Sequence, residues 1–405
     1  MDLKSGYPYW AIKNGLMHAF PRLQADQRCD VAIIGGGITA ALIANEFSAH
    51  GHDVVVVEQR DIGWGSTAAS TALLQYEIDT HMVDLAKQFG EADAALAYTS
   101  CARGVAMLGD LAREVRDVGF SRIDSLYYAS KRGHADDLRD EYAMRRRHGL
   151  EVELLETEAV RERYGIDAPA AILSTQAAWI DPYRMTYRLL ARLRKNGMRV
   201  FDRSAVDNIE TSARGVTLRM ADGPLVHARH VILAAGYATQ QWLPKKMAKN
   251  RSSYACITDP LDEALLGPLR HTMLWESARP YLYMRTTSDH RLLVGGEDDA
   301  VDIAAKRDVR VPKKAKILLE KVGKLFPQLP LQPAFAWAGT FAETDDGLPF
   351  FGPHQQHGPR VHYAMAYGGN GITYSMLGSG LLRALIERRK HPLTALFSFK
   401  RLDRG

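Results

Sequence analysis

The chain has 405 residues, room for two or three domains at roughly 150 residues each. Its 46% hydrophobic, 24% charged and 9% aromatic residues are those of an ordinary globular protein, which excludes disorder, collagen and coiled coil. The formal charge of +5 is small, and basic residues are scattered or in short clusters such as Arg145-Arg146-Arg147, so nucleic acid is not an expected partner.

The N-terminal stretch holds a Tyr7-Pro8-Tyr9-Trp10 cluster, expected to pack an arm onto the body, and has no apolar core of a signal peptide. The longest apolar stretch, 31–44, is broken by three glycines and Thr39 and is too short to span a bilayer. A cytoplasmic protein without an integral membrane segment is the expectation. Val31-Ala32-Ile33-Ile34 is a short apolar run ending in Gly35-Gly36-Gly37, as suits a strand buried on both faces. An Ala-rich helix follows from Ile38 to about His50, stopped by Gly51. Val54 to Glu58 is a second buried strand, which completes a βαβ opening.

Residues 84–118 carry apolar side chains at helical spacing; 134–148 predicts a charged, exposed helix; 183–196 predicts an amphipathic helix ended by Gly197. Short strands are expected at 199–201, 204–210 and 215–220, with a turn at Ala221-Asp222-Gly223, and a buried strand runs from Val231 to Gly236. The segments 252–258, 280–287 and 291–296 alternate as strands of a second, antiparallel sheet. A helix at 313–325 follows, and the chain closes with a Gly-rich turn at 368–371 and a helix from about Thr373 to Lys390. Pieces of α/β character at the start, middle and end imply two interleaved domains.

Gly35-x-Gly37-x-x-Ala40 sits between strand and helix, and Glu58 lies 58 − 37 = 21 residues past the second glycine. Gly35 permits the tight turn, Gly37 lets a pyrophosphate approach the backbone, and Ala40 stands where a third glycine is usual. The helix N-terminus, through Ile38 and Thr39, offers unpaired N–H groups to phosphate, and Glu58 can accept from ribose hydroxyls, with Gln59 beside it. The acid fits FAD or NAD and disfavours NADP. The next stretch, Asp61 to Ala72, is rich in Gly, Ser, Thr and Ala, which lets backbone lie against a large flat ligand but also suits a plain loop.

With these stretches go Gly63-Trp64-Gly65-Ser66-Thr67, Asp181-Pro182-Tyr183-Arg184 before a helix, Val231 to Gly236, Thr344-Asp345-Asp346-Gly347-Leu348-Pro349, and Gly368-Gly369-Asn370-Gly371-Ile372-Thr373. In this order, over residues 30 to about 385, they make the chain resemble the FAD-dependent D-amino acid oxidase superfamily of glycine, sarcosine and γ-glutamylputrescine oxidases. The resemblance implies an α/β fold: a Rossmann-like FAD domain with parallel sheet and β-meander, interleaved with an α+β substrate domain on an antiparallel sheet. The FAD domain would comprise 1–83, 150–245 and 335–405, and the substrate domain 84–149 and 246–334.

It also implies noncovalent FAD, since no tethering cysteine or histidine is matched. The FAD contacts carried over are Val206 toward adenine, Asp61, Gly65, Ser66, Thr67, Thr71 and Ala72 along pyrophosphate and flavin, Ala235 and Gly236 at a strand end, and Gly369, Asn370, Gly371, Ile372 and Thr373 at the flavin pyrimidine edge. Two positions depart from the family. Phe341 stands where small-amino-acid oxidases carry a carboxylate-clamping arginine, and Leu293 stands where sarcosine oxidases place a lysine.

Substrate-side candidates are Tyr281, Tyr283 and Arg285, which share a strand face by period two, and Glu343, which could meet a substrate ammonium. An exposed sheet face and a solvated loop acid fit the same residues. Glu297 reads as a solvated turn acid and His81 as structural. Cys29, Cys101 and Cys256 lack C-x-x-C spacing, so reduced thiols and no metal site are expected. The expected activity is oxidation of a C–N bond of an amine or amino acid, with O2 or an unknown carrier as electron acceptor. Oxidation of a 2-hydroxy acid and a non-catalytic flavoprotein scaffold are the alternatives.

Overall fold

The computed structural model describes residues 2–301 and 303–404. Two sheets organise them. The first has eight strands. Val361–Met365, Leu225–Leu233, Gln27–Ile34, Val54–Val57 and Arg199–Phe201 run parallel in that spatial order. Their apolar runs are buried on both sides, as a covered parallel sheet requires. Phe350–Pro353 closes one edge antiparallel, and Val206–Thr211, Val216–Met220 and Leu225–Leu233 form the expected β-meander. The helix Ile38–Ala49 packs between the helices Gly371–Ile386 and Pro182–Lys195. Pro182–Lys195 begins where Asp181 accepts the Arg184 N–H at 2.8 Å and Pro182 takes the first turn.

The second sheet has ten strands. In order they are Lys4–Gly6, Pro333–Glu343, Lys249–Pro260, Arg291–Asp299, Leu282–Thr286, Thr272–Glu276, Ser121–Tyr128, Ala170–Trp179 and Leu73–Leu74, with Val152–Glu156 on the far side of Ala170–Trp179. It is not purely antiparallel: Ser121–Tyr128 and Thr272–Glu276 pair parallel. They come from segments separated by a long passage through the other sheet, so no tight hairpin dictates their direction. The helix Val311–Leu325 buries Val311, Ala315, Leu318, Leu319 and Val322 in one apolar cluster with residues of this sheet.

Three expectations change. Residues 152–179, grouped above with the FAD domain, pair in the ten-stranded sheet, as do the strands at 4–6, 73–74 and 335–343. The helical stretch 84–118 is two helices, Met82–Phe89 and Glu91–Val115, divided at Gly90 with φ +89°. The charged helix Ala135–Arg147 is not exposed throughout: Glu141 and Arg145 are fully buried as an i,i+4 ion pair at 2.7 Å. Among the described residues no helix is long and apolar enough to cross a membrane.

Candidate active site

One cleft runs between the two sheets, from the fingerprint turn to the aromatic face of the ten-stranded sheet. At its first end each of the three glycines meets a different constraint. Gly35 has φ +121°, and a Cβ there would lie 2.4 Å from the Ala234 carbonyl oxygen. A Cβ on Gly36 would strike Ile62 and Glu58, and one on Gly37 would come within 2.9 Å of Thr67 Oγ1 inside the cleft. The Gly36 N–H donates to Glu58 Oε2 at 2.7 Å and the Arg60 N–H to Oε1 at 2.8 Å. Burial pushes the Glu58 carboxyl up, and these backbone donors oppose that shift. Each oxygen keeps a lone pair for a ribose hydroxyl. The Ile38 N–H donates to Thr67 Oγ1 at 3.0 Å, and Ser66 Oγ is buried in the lining without a partner. Small residues, a helix N-terminus and an unspent hydroxyl fit a dinucleotide pyrophosphate.

The opposite wall is the turn Gly368 to Thr373. The Gly369 N–H donates to Asp79 Oδ2 at 2.8 Å, Asn370 Nδ2 to the Glu77 carbonyl at 2.6 Å, and Thr373 Oγ1 to the Gln75 carbonyl at 3.2 Å. The segment 75–79, which the sequence did not mark, therefore frames the turn, and Gln75, Glu77 and Asp79 line the cleft. The Tyr374 N–H bonds back to the Asn370 carbonyl at 2.9 Å, so the N–H groups of residues 371–373 remain unspent within the helix that starts there. Their residues line the cleft, where a partial positive charge favours an anionic ring edge. The Thr39 and Ser375 hydroxyls, 2.8 Å apart, tie this helix to the fingerprint helix.

The ten-stranded sheet supplies Ser253, Trp275, Tyr283, Asp298, Trp337 and Phe341, with Tyr281 just before its strand. Gly295 leaves room for the Tyr283 ring, which a Cβ would meet at 2.4 Å. Pairing with the Lys249–Pro260 strand slips between Ser252 and Tyr254, while Gly296 takes φ +134° and Glu297 φ +55°. This bulge sets neighbouring acids on opposite sides. Glu297 is 9% exposed and pairs with Lys321 at 2.6 Å and Lys314 at 3.3 Å, so it is not the solvated turn acid expected. Asp298 lines the cleft, and its Oδ1 is buried without a hydrogen-bond partner. Burial pushes this carboxyl up to about 6; Ser253 opposes the shift by hydrogen bonding, Glu343 and Asp79 add to it, and Arg279 opposes it.

Most predicted cofactor residues meet at the cleft: Gly37, Ile38, Thr39, Glu58, Gln59, Gly65, Ser66, Thr67, Thr71, Ala72, Ala235, Gly236 and Gly369 to Thr373. Gly35, Ala40, Asp61 and Val206 lie outside its lining. Gly35 is spent against the Ala234 carbonyl, and Ala40 is buried within its helix. Of the substrate candidates, Tyr281 and Tyr283 line the cleft and Arg285 does not. Arg285 is fully buried, donates to the Thr71 carbonyl from Nε at 3.1 Å and Nη2 at 2.9 Å, and stacks on Trp179 and Trp10. Burial lowers its pKa to about 9. It braces the loop that lines the cleft from behind, because the arm residue Trp10, anchored through Nε1 to the Ser70 carbonyl at 2.7 Å, covers it. Tyr9 and Trp10 pack as expected of the arm, whereas Tyr7 is exposed. Glu343 is paired with Arg251 and stands outside the lining. Phe341 lines the cleft, Leu293 is buried in the core, and His81 bonds Tyr127 at 2.9 Å in a structural role.

Comparison with known proteins agrees with this geometry. Gamma-glutamylputrescine oxidoreductase of Escherichia coli (strain K12) is 27% identical over 94% of this chain and 88% of its own length. Glycine oxidase of Geobacillus kaustophilus (strain HTA426) is 25% identical over 90% of this chain and 94% of its own. The solved L-proline dehydrogenase from P. horikoshii shares the fold, with a TM-score of 0.78 at 17% identity over 94% of this chain and 99% of that one. Residues 30–385 match the DAO family model, described as FAD dependent oxidoreductase, so the chain belongs to that family and is an enzyme with FAD as its cofactor.

Proposed function

We propose that this enzyme oxidises a C–N bond of an amine or amino acid held at the aromatic end of the cleft. The residues of the fingerprint turn and of Gly369 to Thr373 would hold FAD without a covalent link, and the flavin would supply the acceptor for a hydride from the carbon next to nitrogen, leaving an imine to hydrolyse. The observation that carries this reading is the charge of the substrate end. Rings of Trp275, Tyr281, Tyr283 and Phe341 stand with the carboxylates of Asp79 and Asp298 in the lining; among the described residues the lining cation Arg60 belongs to the Glu58 end, and Arg279, outside the lining, lies on the Tyr281 ring and donates to the Asp79 carbonyl at 3.2 Å. A 2-hydroxy acid would bring its carboxylate against like charge, which disfavours that alternative. The names of two relatives, gamma-glutamylputrescine oxidoreductase and glycine oxidase, support the same bond class.

Within that class an amine without an α-carboxylate is the better substrate. Phe341 cannot clamp a carboxylate, and Arg285 is committed to the Thr71 carbonyl. The test is anaerobic bleaching of the bound flavin by a panel of n-butylamine, 1,4-diaminobutane, glycine, sarcosine, D-alanine and lactate. The amines should bleach it fast and the three small amino acids poorly. Efficient reduction by glycine, sarcosine and D-alanine overturns the preference, and reduction by lactate alone overturns the C–N reading.

A further inference from the structure

We infer that Asp298 receives the substrate's amine: its carboxylate pairs with the alkylammonium ion and takes one of its protons. The inference rests on the amine reading above and assigns its recognition to one side chain. The other acids of the cleft are occupied. Asp79 accepts from the Gly369 N–H at 2.8 Å and from the Tyr281 hydroxyl at 3.3 Å. Glu77 also has an Oε2 without a hydrogen-bond partner, but the buried Arg145 guanidinium at 3.8 Å balances its charge, and Glu58 accepts two backbone N–H groups. Asp298 has no cation within ion-pair distance among the described residues; Ser253 is its hydrogen-bonding neighbour, and its buried Oδ1 has no hydrogen-bond partner. A buried carboxylate oxygen left open in a polar cleft calls for a donor from the ligand. The rings of Trp275, Tyr281 and Tyr283 line the same cleft, and aromatic faces favour a cation. In the transfer one N–H bond of the ammonium breaks, an O–H bond forms on Asp298, and the electron pair stays on nitrogen. The neutral amine that results can lose hydride from its adjacent carbon, which the ammonium cannot.

The raised pKa, about 6, fits this role: the carboxylate is protonated below that value and binds ammonium above it. The groups facing it are Ser253, Glu343, Asp79, Arg279 and Tyr283. The holoenzyme is titrated with tert-butylamine, which has no hydrogen on its α-carbon and cannot be oxidised there, and with tert-butanol, following the flavin absorbance. Binding of tert-butylammonium should tighten as pH rises through about 6. Asp298→Asn should weaken it about tenfold to a hundredfold and flatten that pH dependence, leaving tert-butanol binding unchanged. Asp298→Glu should restore part of the affinity. Equal ammonium binding in Asp298→Asn, or no rise of wild-type affinity between pH 5 and 7, overturns the inference, and the second measurement needs no variant. If n-butylamine bleaches the wild type and Asp298→Asn alike, only the role of Asp298 fails. If no amine bleaches the wild type, the amine reading itself fails.

Discussion

Glu58 carries two duties at once. Its carboxylate accepts the Gly36 and Arg60 N–H groups and so shapes the turn that a pyrophosphate approaches, while its remaining lone pairs face the cleft. Glu58→Ala therefore removes a ligand contact and also leaves two backbone donors of the turn without their acceptor. A lost hydrogen bond to a charged group is worth about 1.5–3 kcal/mol, so FAD affinity should fall by about tenfold to more than a hundredfold in a titration of the apoprotein. Glu58→Gln, which keeps an acceptor oxygen, should lose less. Unchanged affinity in both variants would mean that the ribose is held elsewhere. This residue was legible from spacing alone, because a strand end and a fixed offset place it. Arg285 was not. Period two correctly set it beside Tyr283, but only the fold shows that Trp10 and Trp179 cover that end of the face. Asp298 was missed because a Gly-Gly-Glu-Asp string reads as a turn, whereas a bulge within a strand sends its two acids to opposite sides.

At the scale of elements, the helix Ala135–Arg147 shows how charge pattern misleads. Its acids lead and its arginines close it, a charge density that reads as a solvated surface, yet Glu141 and Arg145 are fully buried. The Glu141 carboxylate accepts the Met82 and Val83 N–H groups at 3.0 and 3.1 Å, capping the helix Met82–Phe89, and it is held by Arg145 Nε at 2.7 Å. Arg145 in turn stands 3.8 Å from Glu77, whose carbonyl accepts from Asn370 in the cleft wall. Arg145→Met should leave two buried carboxylates uncompensated and cost about 3–5 kcal/mol of stability in urea unfolding. Arg147→Met, at an exposed ion pair, should change stability by less than about 1 kcal/mol. Similar costs for both would deny the buried network its structural role. Elements built from apolar runs, such as Val31 to Ile34 and Val54 to Val57, were readable because burial on both faces leaves a continuous signature. The strand Ala170–Trp179 was not, since Ala-rich, mixed composition carries neither period clearly.

The whole molecule is held as one unit by the way the chain alternates between sheets. Residues 4–6 join the ten-stranded sheet, 27–57 the eight-stranded one, 73–179 the ten-stranded again, 199–233 the eight-stranded, 249–343 the ten-stranded and 350–365 the eight-stranded. The cleft collects its walls from both sheets, so neither can come apart without dismantling it. No cysteine or histidine occurs among its lining residues, and Cys101 and Cys256 are buried elsewhere. Acid precipitation should accordingly leave the yellow chromophore in the supernatant. The refolded apoprotein should melt in a single transition, below the holoprotein. FAD at a hundredfold excess over its Kd should add about 2.7 kcal/mol, which for a chain of this length raises the midpoint by about 3 °C, and the rise should grow with the logarithm of FAD concentration. Colour retained in the pellet would reveal a covalent link. Two separate transitions, with FAD shifting only one, would show that the sheets unfold independently and that the cleft belongs to one of them alone.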